Sequence, residues 1–169
     1  ARIQEGMLAL MQMAKTATAV SQHQAAQLPY ISVLTNPSFG GTFASFGSLG
    51  DILIGEPGAQ IGFVGARVVE GTIAEKIPKA QRRAEALLEH GMIDMVVARP
   101  LLRNRLAILV TQLAPNCSDV WRTSPLAPTP EPTRTPAEVI ELARTPSRPR
   151  APAYVERVFQ SFSQLHGDR

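Results

Sequence analysis

Tyr30-Ile31-Ser32-Val33-Leu34-Thr35, then Asn36-Pro37-Ser38-Phe39-Gly40-Gly41, then Thr42-Phe43-Ala44-Ser45-Phe46-Gly47 is the stretch that decides the architecture. Its first third is aromatic-led, rich in β-branched residues and closed by Asn-Pro, the pattern of a buried strand ending in a turn. The last third alternates large and small residues, which predicts a short helix over 42–50 packed closely on a sheet. Between them Gly40 and Gly41 lack a Cβ, so the backbone can approach a ligand and the first helical N–H groups are left pointing outward. Amides placed there, with the positive end of a helix behind them, can stabilise a developing oxyanion. A lone Gly-Gly more often makes only a turn, and the stretch alone leaves that reading open.

Outward from this centre, strands and helices alternate, which predicts an α/β fold. Residues 3–26 carry Ile3, Met7, Leu10, Met11, Ala14 and Ala17 at helical spacing, with Met7, Met11 and Met13 read as adaptable core. Short strands are expected over 51–54 and 59–64, separated by the turn signal Glu56-Pro57-Gly58. Helices are expected over 65–74, 78–90 and 100–113, with a buried strand over 92–97. Past Pro115 the character changes, since nine of the 14 prolines lie between Pro115 and Pro152. That composition predicts an extended linker over 116–135. Thr135 then caps a helix over 136–144, with Pro136 at its first position and Glu138 in its first turn. Residues 153–165 read as an amphipathic helix presenting Val155, Val158, Phe159 and Phe162.

Composition excludes several classes. Apolar residues make up 44% of the 169, enough for one ordinary core. The net charge of +3 is spread evenly, with ten Lys/Arg against eight Asp/Glu up to residue 115 and seven against six beyond, so no basic arm for nucleic acid is present. No run of about 20 apolar residues marks a membrane span. The start carries no secretory pattern. The single cysteine, Cys117, cannot form an intrachain disulfide and fits a reducing compartment. His23, His90 and His166 are scattered, none at metal-ligand spacing with a cysteine or paired carboxylate. Neither a G-x-S-x-G elbow nor a phosphate loop occurs. Asp51 and Glu56 could be paired acids, although a turn or cap role is the commoner use. Lys76, Lys79, Arg82 and Arg83 read as a solvated helix face, with contact to an anionic ligand as the alternative.

Longer strings resemble a known family. Met11-Gln12-Met13-Ala14-Lys15-Thr16-Ala17, Leu28-Pro29 through Asn36-Pro37, Gly40-Gly41, Ala44-Ser45-Phe46, Leu49-Gly50-Asp51, Glu56-Pro57, Ile61-Gly62-Phe63, Arg67-Val68, Glu75-Lys76-Ile77-Pro78 and Gly91-Met92-Ile93-Asp94-Met95-Val96 resemble the β subunit of the acetyl-CoA carboxylase carboxyltransferase over roughly residues 1–114. Glu141 to Pro149, Tyr154-Val155, Phe159, Phe162 and Leu165-His166-Gly167-Asp168-Arg169 resemble the beginning of its α subunit. The whole looks like a piece of a fused β–α polypeptide, cut on both sides. Its expected parts are a partial β core over 1–115, the Pro-rich linker over 116–135 and an α-type helical segment over 136–169.

The resemblance implies a crotonase-type ββα superhelix, of which this chain would hold the C-terminal portion. It also implies transfer of a carboxyl group from carboxybiotin, borne on the biotin carboxyl carrier protein, to acetyl-CoA, giving malonyl-CoA for fatty acid biosynthesis in the cytoplasm or a plastid stroma. Gly40 and Gly41 match the family's oxyanion glycines, and their N–H groups rather than any side chain would act. The implied partner is the carboxyltransferase α part, in a β2α2-type assembly or a dimer of fused chains. The family's four-cysteine zinc ribbon and an upstream Gly-Gly are not in this stretch, so no zinc is assigned and the piece is expected to be inactive alone. Two other readings stand beside this one, a non-catalytic assembly segment and another crotonase-fold acyl-CoA enzyme. The latter would need acid/base carboxylates near the glycines.

Overall fold

Every residue of Ile52–Gly55 is buried, a condition met by a central strand covered on both faces. In the computed structural model, which describes residues 3–65, 71–72, 78, 82–113 and 134–167, this strand, β3, lies between β1 (Ile31–Leu34) and β5 (Met95–Val96) in a parallel sheet. Ile31 aligns with Ile52 and Leu34 with Gly55, while Ile54 faces Met95 and Gly55 faces Val96. A separate parallel pair joins β2 (Ser38–Phe39) to β4 (Ile61–Gly62). The helices are α1 (Met7–Ala25), α2 (Phe43–Gly47, a wide π-type turn), α3 (Ala84–Glu89), α4 (Arg99–Leu113), α5 (Pro136–Arg144) and α6 (Ala151–Val158).

Successive side chains of a strand point to opposite faces, and β3 divides the core accordingly. Leu53 joins Leu34, Phe43, Ile61, Ala84, Leu87 and Ile93 on one side, which α2 and α3 cover. Ile52 and Ile54 join Met95, Val97 and Leu109 on the other, backed by Leu102 and Leu106 of α4. At Gly55 a Cβ would come 2.8 Å from Ala84 Cβ and 2.9 Å from Ile93 Cδ1, so the strand closes on the only residue that lets α3 approach.

The carboxyl ends of the three strands are tied together. The Glu56 N–H donates to the Leu34 carbonyl at 3.1 Å, and the Val97 N–H to the Gly55 carbonyl at 2.9 Å. Arg99, at the start of α4, donates to both Glu56 carboxylate oxygens, Nε at 2.7 Å and Nη2 at 2.9 Å. The fork geometry fits a bidentate charge-assisted pair. The Arg99 hydrogen bond holds the Glu56 carboxyl below its ordinary range, and Glu56 raises Arg99 in turn.

The chain divides into two compact units, Ala1–Ala114 with Gln164–Arg169, and Pro115–Ser163. In the second, Thr135 and Glu138 form the expected cap: the Glu138 N–H donates to Thr135 Oγ1, and the Thr135 N–H donates to Glu138 Oε2 at 2.7 Å. The Thr135 hydroxyl also donates to Glu138 Oε2 at 2.9 Å, and the amide first and the hydroxyl second hold the Glu138 carboxyl below its ordinary value.

Several expectations are corrected. The first helix begins at Met7, because Gly6 takes φ +56 and separates it from a 3-10 turn at Ile3–Glu5. Met7 and Met11 are not core: they are 70% and 54% exposed, and Ala9 is the buried residue of α1. The helix over 42–50 contracts to a wide turn ending at Gly47. The strand over 92–97 is two residues long, although Ile93 beside it is fully buried. The last amphipathic helix stops at Val158, since Phe159 is extended, so Phe162 lies beyond it. Of the helix over 65–74 only Gly65, Gly71 and Thr72 are described; the last two are helical and Gly65 is not. The linker residues 116–133, with Cys117, and Lys76 and Lys79 lie outside the described residues.

Gly55→Ala in the complete polypeptide is expected to cost about 1–3 kcal/mol through overpacking, read as a lowered midpoint in a thermal melt. Glu56 binds its proton more weakly folded than unfolded, so its contribution is present above the ordinary carboxylate range and is lost as pH falls through its lowered native value. The difference in melting temperature between wild type and Glu56→Gln should therefore shrink on acidification. A difference independent of pH would show that the pair contributes nothing through its charge.

Candidate functional site

After β1 the chain crosses Asn36 and Pro37, joined by a cis peptide bond, and enters β2. Asn36 Oδ1 accepts the Gln60 N–H at 3.0 Å, and the Ser38 N–H donates to the Gln60 carbonyl at 2.8 Å, which sets the β2–β4 register. The Gly40 N–H continues that ladder, donating to the Phe63 carbonyl at 3.0 Å and to the Gly62 carbonyl at 3.3 Å. Gly40 sits at φ +64, where a side chain is strained whatever the space around it. Its carbonyl accepts the Ala44 N–H at 2.9 Å, and the Gly41 carbonyl accepts Ser45 Oγ at 2.6 Å, closing the first turn into α2.

The two glycines are therefore not equivalent. The Gly40 amide is used to terminate the β2–β4 pair. The Gly41 N–H has no acceptor among the described residues. It is one of the first amides of a helical turn, which have no partner within the turn itself. Both glycines are half-buried. Among the described residues the site thus offers one unengaged donor rather than two.

The turn carrying that donor is held firmly. Phe43 is buried and meets Phe63 edge to face at 5.5 Å. Ser32 Oγ donates to the Gly47 carbonyl at 2.8 Å, and the Tyr30 hydroxyl donates to the Phe46 carbonyl at 3.0 Å. Burial raises the Tyr30 phenol above its ordinary value, against a smaller opposing hydrogen bond with Ser32. Thr16, Ala19, Val20, His23, Tyr30 and Phe46 line a shallow, mainly apolar cleft beside this turn.

The titratable residues are occupied elsewhere. Asp51 Oδ2 accepts the Tyr30 N–H at 2.7 Å, while Glu56 pairs with Arg99, so the two acids serve separate structural roles. His23 Nε2 lies 3.1 Å from the Pro29 carbonyl, and the ring stands edge-on to Tyr30. The side chains of His90 and His166 are exposed. Arg83 bridges Gln60, extending the β4 segment. Among the described residues no group of three or more His, Cys, Asp or Glu could hold a metal ion. What the arrangement offers chemically is a backbone dipole for an oxygen that gains charge. Sequence reasoning missed Arg99 and Asp94, whose partners are far along the chain; an acid inside the apolar run Met92–Val97 was the available signal for Asp94.

Residues 1–163 match the carboxyl transferase domain family. The chain is 41% identical, over an alignment of 189 residues, to the acetyl-coenzyme A carboxylase carboxyl transferase subunits beta/alpha of Natranaerobius thermophilus, which takes in 100% of this chain and 31% of that protein. It is 57% identical over 111 residues to the carboxyl transferase subunit beta of Desulforamulus reducens, covering 66% of this chain and 38% of that one. Among solved structures, transcarboxylase 12S with methylmalonyl-coenzyme A and methylmalonic acid bound aligns at TM-score 0.52 and 27% identity, over 58% of this chain and 19% of that chain. The Pseudomonas malonate decarboxylase hetero-dimer aligns at TM-score 0.54 and 24% identity, over 66% and 48%, a likeness of fold alone. The chain spans between 31% and 38% of the length of the two curated relatives named. A match over nearly its whole length, on parallel strands layered with helices in the crotonase manner, places the chain in the carboxyl transferase domain family.

Proposed function

We propose that the complete polypeptide transfers the carboxyl group of carboxybiotin, carried on a biotin carboxyl carrier protein, to acetyl-CoA, giving malonyl-CoA for fatty acid biosynthesis in the cytoplasm. The observation that carries this reading is the identity of 41% along the entire chain with a relative named for the fused carboxyl transferase subunits. Residues 1–115 act as part of the β core, 116–135 as linker and 136–169 as the start of the α part. The activated carboxyl comes with the biotin; the chain's own residues position an oxygen and stabilise its charge.

Gly40 and Gly41 form the donor site in this proposal, with divided labour. Gly40 makes the left-handed turn and anchors it on Phe63, and Gly41 directs its free N–H at the thioester oxygen where charge builds as the α-carbon becomes nucleophilic. An amide does not titrate, so the site needs neither histidine nor carboxylate. The donor that completes the arrangement comes from the α part.

Assembly follows from α1. Met7, Leu8, Leu10 and Met11 are 70%, 64%, 56% and 54% exposed, an apolar patch on its first turns that supports docking against more carboxyltransferase surface. The proposed state is a dimer of β–α chains.

In the complete polypeptide Gly41→Val should lower malonyl-CoA formation about 10²-fold or more with the melting temperature kept near wild type. Unchanged turnover would remove the oxyanion role. By light scattering at micromolar concentration the intact protein should have twice its chain mass. An active monomer would overturn the shared-site assembly.

A further inference from the structure

Asp94 is 5% exposed, yet its polar atoms are shared between two distant parts of the sequence. Its N–H donates to the Leu53 carbonyl at 2.9 Å, and its Oδ2 accepts the Leu53 N–H at 2.8 Å, which fixes it against β3. Its other carboxylate oxygen, Oδ1, accepts the Gly167 N–H at 3.0 Å, and its carbonyl accepts the His166 N–H at 3.1 Å. Two consecutive amides thus meet the side chain and main chain of one residue, 73 positions earlier in the sequence for Gly167.

The contact is selective. A Cβ on Gly167 would collide with Asp94 Oδ1 itself, backed by Asp94 Cγ at 3.1 Å. Only a glycine brings its amide this close to the carboxylate. The carboxylate cannot move aside without surrendering the Leu53 N–H, which is buried beneath it. The compact unit that holds the sheet accordingly includes Gln164–Arg169, although Pro115–Ser163 intervenes.

We propose that Asp94 is the receptor of an intrachain clasp whose occupant is the His166–Gly167 backbone, and that this clasp seats the beginning of the α part on the β core. The recognition is of peptide amides, with the absent side chain at Gly167 as its filter. The intervening proline-rich stretch acts as a tether that raises the local concentration of the occupant. The clasp stands on the geometry; the step from clasp to subunit joint rests on the proposed β/α reading.

Hydrogen exchange on the complete polypeptide tests the clasp without substrate, and so whether or not the protein makes malonyl-CoA. The His166 and Gly167 amides should be protected. Gly167→Ala should raise their exchange about tenfold or more while leaving β3 protected, since it spares the Asp94–Leu53 bonds. Asp94→Ala should loosen both places. Unprotected His166 and Gly167 in the wild type, or unchanged exchange in Gly167→Ala, would overturn the clasp. A protease site placed within 118–133 tests the joint: the cleaved halves should co-elute, and Gly167→Ala should weaken their association about tenfold. Equal association in that variant would overturn the joint and leave the exchange result to judge the clasp.

Discussion

The burial of β3 on both faces is the constraint on which the rest of the chain depends. A four-residue strand with no exposed position demands a layer on each side, and the alternation of Leu53 against Ile52 and Ile54 assigns α3 to one and α4 to the other. Because that layer packs directly on the strand end, Gly55 cannot carry a side chain. Parallel strands also bring all their carboxyl ends to one edge, which in α/β sheets is where loops build sites. Here that edge is closed by the Glu56–Arg99 pair and by the Glu56 amide on Leu34.

From that edge the position of the donor follows in steps. The tied end of β1 leads through Asn36, whose side chain holds Gln60 and so sets β2 against β4. The β2–β4 ladder runs one residue past β2 and consumes the Gly40 amide. What the ladder does not reach is Gly41, and the turn behind it is fixed by Ser32 and Tyr30 from the sheet side and by burial of its own Phe43. In the proposed reaction a donor held this way would need little reorganisation as an oxygen gains charge, the condition under which a single amide matters to a rate.

Features with local causes were legible in the sequence. The Thr135–Glu138 cap, the Glu56-Pro57-Gly58 turn with Gly58 at φ +69 and the strand before Asn36 are each written within a few residues. Features with distant causes were not. Nothing near Gly40 announces that Phe63 will take its amide, so the glycine pair read as two equal donors. Likewise the apolar spacing of α1 reads as core, because periodicity reports that a face is apolar and not what covers it. The same limit applies after Val158, where apolar residues continue while the backbone turns extended.

Asp94 shows how far a distant cause can reach. An acid in the run Ile93-Asp94-Met95 should be costly, since the residues on either side are at most 8% exposed. The cost is offset by two amides on the carboxylate, the Leu53 N–H of β3 and the Gly167 N–H of a segment that returns after Pro115–Ser163 of the other unit, while the His166 N–H meets the main-chain carbonyl. A buried carboxylate satisfied wholly by neighbours in its own sheet would be a closed structural detail. In this one Oδ2 is met by β3, and Oδ1 accepts from a backbone amide whose residue lacks a side chain. On the proposed reading, the core therefore carries, in a buried residue bonded to its central strand, the means of holding the segment at residues 164–167. Loss of that segment would withdraw the Gly167 N–H from Asp94 Oδ1 while leaving the Leu53 bonds in place, which links a buried acid of the core to the continuation of the chain.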